Sequence, residues 1–78
     1  MIKTQTNTYE SSTIDSSTYD FKTLELFVAF KSGTTYLYNN VSHLVYAEFR
    51  DSESQGKALN SLIKQNEDIS FEKLEDVV

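Results

Sequence analysis

Leu24-Glu25-Leu26-Phe27-Val28-Ala29-Phe30, then Lys31-Ser32-Gly33-Thr34, then Thr35-Tyr36-Leu37-Tyr38 reads as a β-hairpin. Leu24, Leu26, Val28 and Phe30 fall on one face at period two, with Glu25, Phe27, Ala29 and Lys31 on the other. Ser32-Gly33 marks the turn, and Asn39-Asn40 ends the return strand. The register has two solutions. A two-residue loop, Ser32-Gly33, sets Tyr36 and Tyr38 beside Phe27 and Ala29. A three-residue loop, Lys31-Ser32-Gly33 with a left-handed Gly33 in a bulge, sets both tyrosines beside Leu26 and Val28. A slip of one residue exchanges the faces of a strand, so the loop separates a stacking platform from a core position. The three-residue loop is preferred because it gathers one apolar face and leaves Glu25 and Lys31 outside.

Upstream, Ile14 to Tyr19 is a short β-leaning segment connected through Asp20-Phe21-Lys22-Thr23. Residues 1–10 are polar, and Thr4, Thr6 and Thr8 alternate as a strand face does, so this segment is either a flexible arm or an extra edge strand. Downstream the period changes. Ser42 is a good N-cap for a helix over 43–51, where Val45 and Phe49 stand four apart. Ser52-Glu53-Ser54-Gln55 fits a capping box opening a second helix to about Asn66, with Gly56, Leu59, Leu62 and Ile63 as its stripe. Gly56 inside that stripe implies close approach of another backbone or a ligand. Ser70 is positioned to cap a third, short helix presenting Phe71, Leu74 and Val77. The expected fold is α+β: a small antiparallel meander of three or four strands followed by two or three helices on one face.

The chain has 78 residues, 7 basic against 12 acidic side chains, no cysteine and no proline. One domain of this size has little room for an enclosed catalytic pocket. Without cysteine there is no disulfide, no thiol chemistry and no Cys-based zinc site. No apolar run reaches the ~18 residues of a membrane span, and a soluble, cytoplasmic protein is expected. Residues 67–78 hold five acids and one lysine, so the excess negative charge is mostly C-terminal and residues 1–66 are nearly balanced. That distribution disfavours long nucleic acid more than a single nucleotide.

Ser11-Ser12-x-Ile14, Tyr19-Asp20, Leu26-x-Val28-x-Phe30, Gly33, Tyr36-x-Tyr38, Val41, Val45-Tyr46, Ser54-x-Gly56, Asn60 and Ile63 recur in one order. Over Ser11 to about Lys64 this series resembles the KTSC domain, named for its occurrence at the C-terminus of some lysyl-tRNA synthetases and similarly found as stand-alone bacterial or phage proteins. The resemblance implies a domain over 11–66, followed by an acidic amphipathic segment over 67–78. The synthetase association implies RNA binding by analogy of fold. Ser42 stands where the family has Pro, Ser52 where it has Ala, and Leu59 where it has an aromatic residue.

Two groups of residues carry candidate function. Tyr36 and Tyr38 share a strand face on which bases can stack. Ser54, Gly56, Lys57, Asn60 and Lys64 form a helix start with Lys57, Asn60 and Lys64 along one side, suited to a phosphate although not a P-loop. Their bland reading is capping, packing and solvated lysines. His43 has no cysteine partner and does not face Ser42 as a nucleophile–base pair must. Neither catalysis nor a metal site is expected, and no cofactor. The leading expectation is a non-enzymatic binding module for a nucleotide-type ligand or short RNA. The alternative is a protein-interaction or inhibitor module, such as a small phage or mobile-element protein that sequesters a component of host defence. Phe71, Leu74 and Val77 either cap the domain's own core or form a homo-oligomer or partner contact, since small sheet domains bury little surface alone.

Overall fold

The structure is a computed structural model describing residues 3–74. Four strands come first, β1 (Thr4–Thr8), β2 (Ile14–Asp20), β3 (Glu25–Phe30) and β4 (Thr35–Asn39). Helix α1 (His43–Asp51) follows, then α2 (Gln55–Ala58), which runs directly into a π-helical segment (Leu59–Lys64), and finally β5 (Ser70–Leu74). All five strands form one antiparallel sheet in the order β1-β2-β3-β4-β5. The α+β class holds, with five strands rather than three or four.

The hairpin has the three-residue loop. Phe30 donates its N–H to the Thr34 carbonyl at 2.8 Å, Gly33 N–H returns to the Phe30 carbonyl at 2.9 Å, and Gly33 has φ 98°. Glycine takes that left-handed conformation without a Cβ penalty. Leu26 therefore faces Tyr38 and Val28 faces Tyr36, so all four side chains share the inner face. On β2, Ser17 and Tyr19 join them opposite Val28 and Leu26. Tyr19, Leu26, Val28, Tyr38, Val41, Tyr46, Phe49, Leu59 and Ile63 make a single buried core with Ile14. Phe27, Ala29 and Leu37 lie on the opposite face, only half-buried, because no helix covers it.

Tyr46 of α1 stacks on Tyr19 at 4.2 Å between centroids, which seats the helix on the sheet. Tyr19 in turn donates its hydroxyl hydrogen bond to the Val41 carbonyl. The Thr4, Thr6 and Thr8 face of β1 is exposed, whereas Gln5 and Asn7 turn inward and both bond the Tyr46 hydroxyl, at 2.7 and 2.6 Å. These contacts give the polar N-terminal segment a reason to be a strand.

Three local expectations are corrected. Ser42 caps α1, accepting from Val45 N–H at 3.2 Å, but Ser54 rather than Ser52 caps α2. Ser52 instead closes α1 through its hydroxyl to the Phe49 carbonyl at 3.0 Å, and Gln55 Nε2 donates back to the Ser52 carbonyl at 2.9 Å. The segment after Ser70 is strand β5, not a helix. So short a helix is marginal, whereas the free edge of β4 supplies a ready ladder. Phe71 and Leu74 consequently project to opposite faces and do not form the stripe that helical spacing implied; Val77 lies outside the described residues.

Candidate functional site

Where the helices stop short of β4 and β5, the inner face opens into a cleft of about 460 Å³ lined by Phe30, Ser32, Thr34, Tyr36, Tyr38, Lys64 and Phe71. β4 presents Tyr36 and Tyr38 two residues apart on one side of the pleat, and β5 adds Phe71 directly opposite Tyr38. The Tyr36 and Tyr38 rings lie nearly parallel, 6.3 Å between centroids and 28° between planes. Phe71 stands 6.2 Å from Tyr36 and 6.4 Å from Tyr38. Phe30 meets Tyr36 edge-on at 5.5 Å. Three rings thus floor the cleft and a fourth walls it.

Exposure grades along the floor. Tyr38 is 2% exposed, Tyr36 half-buried, and Phe71 67% exposed. Burial pushes the Tyr38 phenol up to about 12, with Tyr36 adding to the shift. The phenol is therefore a neutral hydrogen-bonding group at ordinary pH. At the rim, Lys64 places Nζ 5.8 Å above the Phe30 ring centroid. The ion pair found among the described residues is Arg50 Nε with Asp51 Oδ1 at 2.9 Å, and none of their carboxylates pairs with Lys64. The π-helical segment sets Lys64 here. Its i to i+5 bonding, seen in Gln65 N–H to the Asn60 carbonyl at 3.2 Å, widens the turn and shifts Lys64 out of line with Lys57 and Asn60. Such interruptions of an α-helix recur at functional sites.

The residues anticipated from the sequence are divided by the fold. Tyr36, Tyr38 and Lys64 come together in the cleft, joined by Phe71, which the sequence suggested as a cap on the core or a partner contact. Ser54, Gly56, Lys57 and Asn60 do not line it. Ser54 is occupied as a cap, accepting from Lys57 N–H at 3.4 Å, and the Lys57 and Asn60 side chains are exposed. Gly56 makes no close backbone approach: a Cβ there would meet only the Thr13 side chain, at 3.8 Å, an ordinary contact. Phe30, Ser32 and Thr34 were not anticipated as lining residues. The signal was the preferred register itself, which sets Thr34 opposite Phe30 on the face that Tyr36 shares. His43 lies away from the cleft, its Nε2–H donating to the Phe21 carbonyl at 3.0 Å. Among the described residues no three His, Asp or Glu side chains group to hold a metal ion, and no helix is long and apolar enough to cross a membrane.

The KTSC domain profile matches residues 10–66, a stretch that includes β2 to β4 and both helices but not β1 or β5. No curated protein matches the sequence. Among solved structures, the crystal structure of a KTSC domain protein from Yersinia pestis is 26% identical, with a TM-score of 0.82 over 92% of this chain and 99% of that one. The profile match covers most of the chain, and the backbone agrees beyond its limits: the chain belongs to the KTSC domain family.

Proposed function

We propose that this protein is a non-enzymatic cytoplasmic module that binds a nucleotide-type ligand, free or as an unstacked base of a short RNA, in the cleft between β4, β5 and the π-helical segment. One observation carries the reading: a floor of three aromatic rings with the Lys64 ammonium at its rim. A flat heterocycle stacks on Tyr36, and the exposed Phe71 ring, tilted 58° from it, borders its edge. Its phosphate meets Lys64, with the Ser32 and Thr34 side chains lining the same opening. Stacking of a base on an aromatic side chain is worth about 1–3 kcal/mol and tolerates any base. A single lysine suits one phosphate, and the acidic C-terminal segment opposes a long polyanion.

Calorimetric titration with the four nucleoside monophosphates and their unphosphorylated nucleosides tests this. Monophosphates should bind more tightly than nucleosides, and Lys64→Glu should abolish that preference. Tyr36→Ala should weaken both series by roughly five- to a hundredfold, the range that stacking energies imply. No binding at millimolar nucleotide, or binding indifferent to Tyr36→Ala, rules the cleft out.

A further inference from the structure

We propose that the free edge of β5 accepts an extended basic peptide as a sixth strand of the sheet. The argument begins with which backbone groups face out. The Phe30 to Thr34 hydrogen bond fixes the parity of the β3–β4 ladder, since hydrogen-bonded and non-hydrogen-bonded pairs alternate in antiparallel strands. Tyr36 and Tyr38 therefore bond β3, while Thr35, Leu37 and Asn39 bond β5 through Leu74, Glu72 and Ser70. The N–H and C=O groups of Phe71 and Lys73 are left pointing away from the sheet. Both belong to an edge strand with no proline and no register shift. Edges of that kind are templates for strand addition unless they are blunted.

The side chains select the occupant. On the inner face Phe71 is 67% exposed and offers apolar surface to a neighbouring strand. On the outer face Glu72 is exposed, and exposed Glu67 and Asp68 lead into the strand against the single Lys73. A partner strand meeting this edge is favoured when it alternates an apolar residue beside Phe71 with a basic residue beside Glu72. A second copy of this chain brings the same acidic segment, and its charge opposes pairing. The other edge, β1, reads Thr-Gln-Thr-Asn-Thr and offers neither apolar surface nor charge.

Fluorescence anisotropy with a labelled acetyl-(Lys-Val)4 peptide tests the proposal. Two companion peptides complete it: (Glu-Val)4, and (Lys-Val)4 N-methylated at its valine amides. The basic peptide should bind, more weakly as salt is raised, and the acidic peptide should not. N-methylation should weaken binding at least tenfold, because valine amides are the ones that face Phe71 and Lys73 when valine lies on the inner face. Lys73→Pro removes one outward N–H that the β4 ladder does not use, a position where an edge strand tolerates proline. It should cost at least tenfold although it makes the edge more acidic; electrostatics alone demands the reverse. Glu72→Lys, which leaves the ladder whole, should weaken the basic peptide and strengthen the acidic one. Nucleotide affinity should be unchanged in Lys73→Pro, since Tyr36, Phe71 and Lys64 remain, so loss of either kind of binding is read separately. Equal binding of the N-methylated peptide, equal binding of (Glu-Val)4, or a protein dimer in sedimentation that Lys73→Pro dissolves would each overturn the proposal, the last by naming a second copy as the occupant.

Discussion

The phenol of Tyr38 shows how a single buried side chain ties stability to pH. Its pKa is pushed up to about 12 by burial, against an ordinary 10.0 in the unfolded chain. Below pH 10 the group is neutral in both states and its burial stabilises the fold in full. Between pH 10 and 12 the unfolded chain releases the proton first, so stability falls, by about 2–3 kcal/mol across the window. Tyr9, Tyr19 and Tyr46 are shifted upward by burial too and act in the same direction. Tyr38→Phe should therefore shallow the alkaline loss without abolishing it, as read from urea unfolding at stepped pH. The sequence made Tyr36 and Tyr38 legible as a pair because period two puts them on one face whatever the loop. Which face they occupy turned on one backbone torsion, that of Gly33, and a glycine permits both loops. That Lys64 and Phe71 line one cleft was not legible, because it depends on a π-turn and on a strand that returns from a distant part of the chain.

At the level of elements, hydroxyl caps decide where helices begin, and two serines separated by one residue compete for α2. Ser54 wins because Ser52 already bonds the last turn of α1, a local i to i−3 bond that lies outside the residues of the capping motif. Ser42→Ala should cost about 1 kcal/mol in chemical denaturation. Ser54→Ala should cost less, since its bond is 3.4 Å against 3.2 Å and α2 is a single turn before the π-helical segment. The C-terminal segment went the other way. Phe71 and Leu74 stand three apart, the spacing of a helical stripe and not of a strand face, yet over so few residues that pattern is weak and the unpaired edge of β4 prevailed.

Across the whole molecule the sheet is covered on one side only, and the two faces should answer mutation unequally. Leu26 is fully buried beneath the helices, and Leu26→Ala should cost about 2–5 kcal/mol. For a domain of this length that is a large share of a total of roughly 4–12 kcal/mol. Leu37, on the bare face, is half-buried, and Leu37→Thr should cost under about 1 kcal/mol. Thermal unfolding of the two variants side by side reads the difference. The α+β class and the single-face core were legible from the periodicity of residues 14–63, because each inward position repeats at the spacing of its element. The fifth strand was not, since strand pairing between distant segments leaves no local signature.

The position of β5 also sets an order of assembly. β1 to β4 join through turns that bring near neighbours together, whereas Asn39 meets Ser70 across about thirty residues that must themselves become helical. Asn40 Nδ2 donates to the Asp68 carbonyl at 3.0 Å, and Ile69 enters the core, only when those helices are in place. A chain leaving the ribosome N-terminus first therefore completes a four-stranded sheet before its last strand exists. Phe71 reaches Tyr36 and Tyr38 only with β5, so the strand that joins the sheet after the helices is also the one that completes the floor of the cleft.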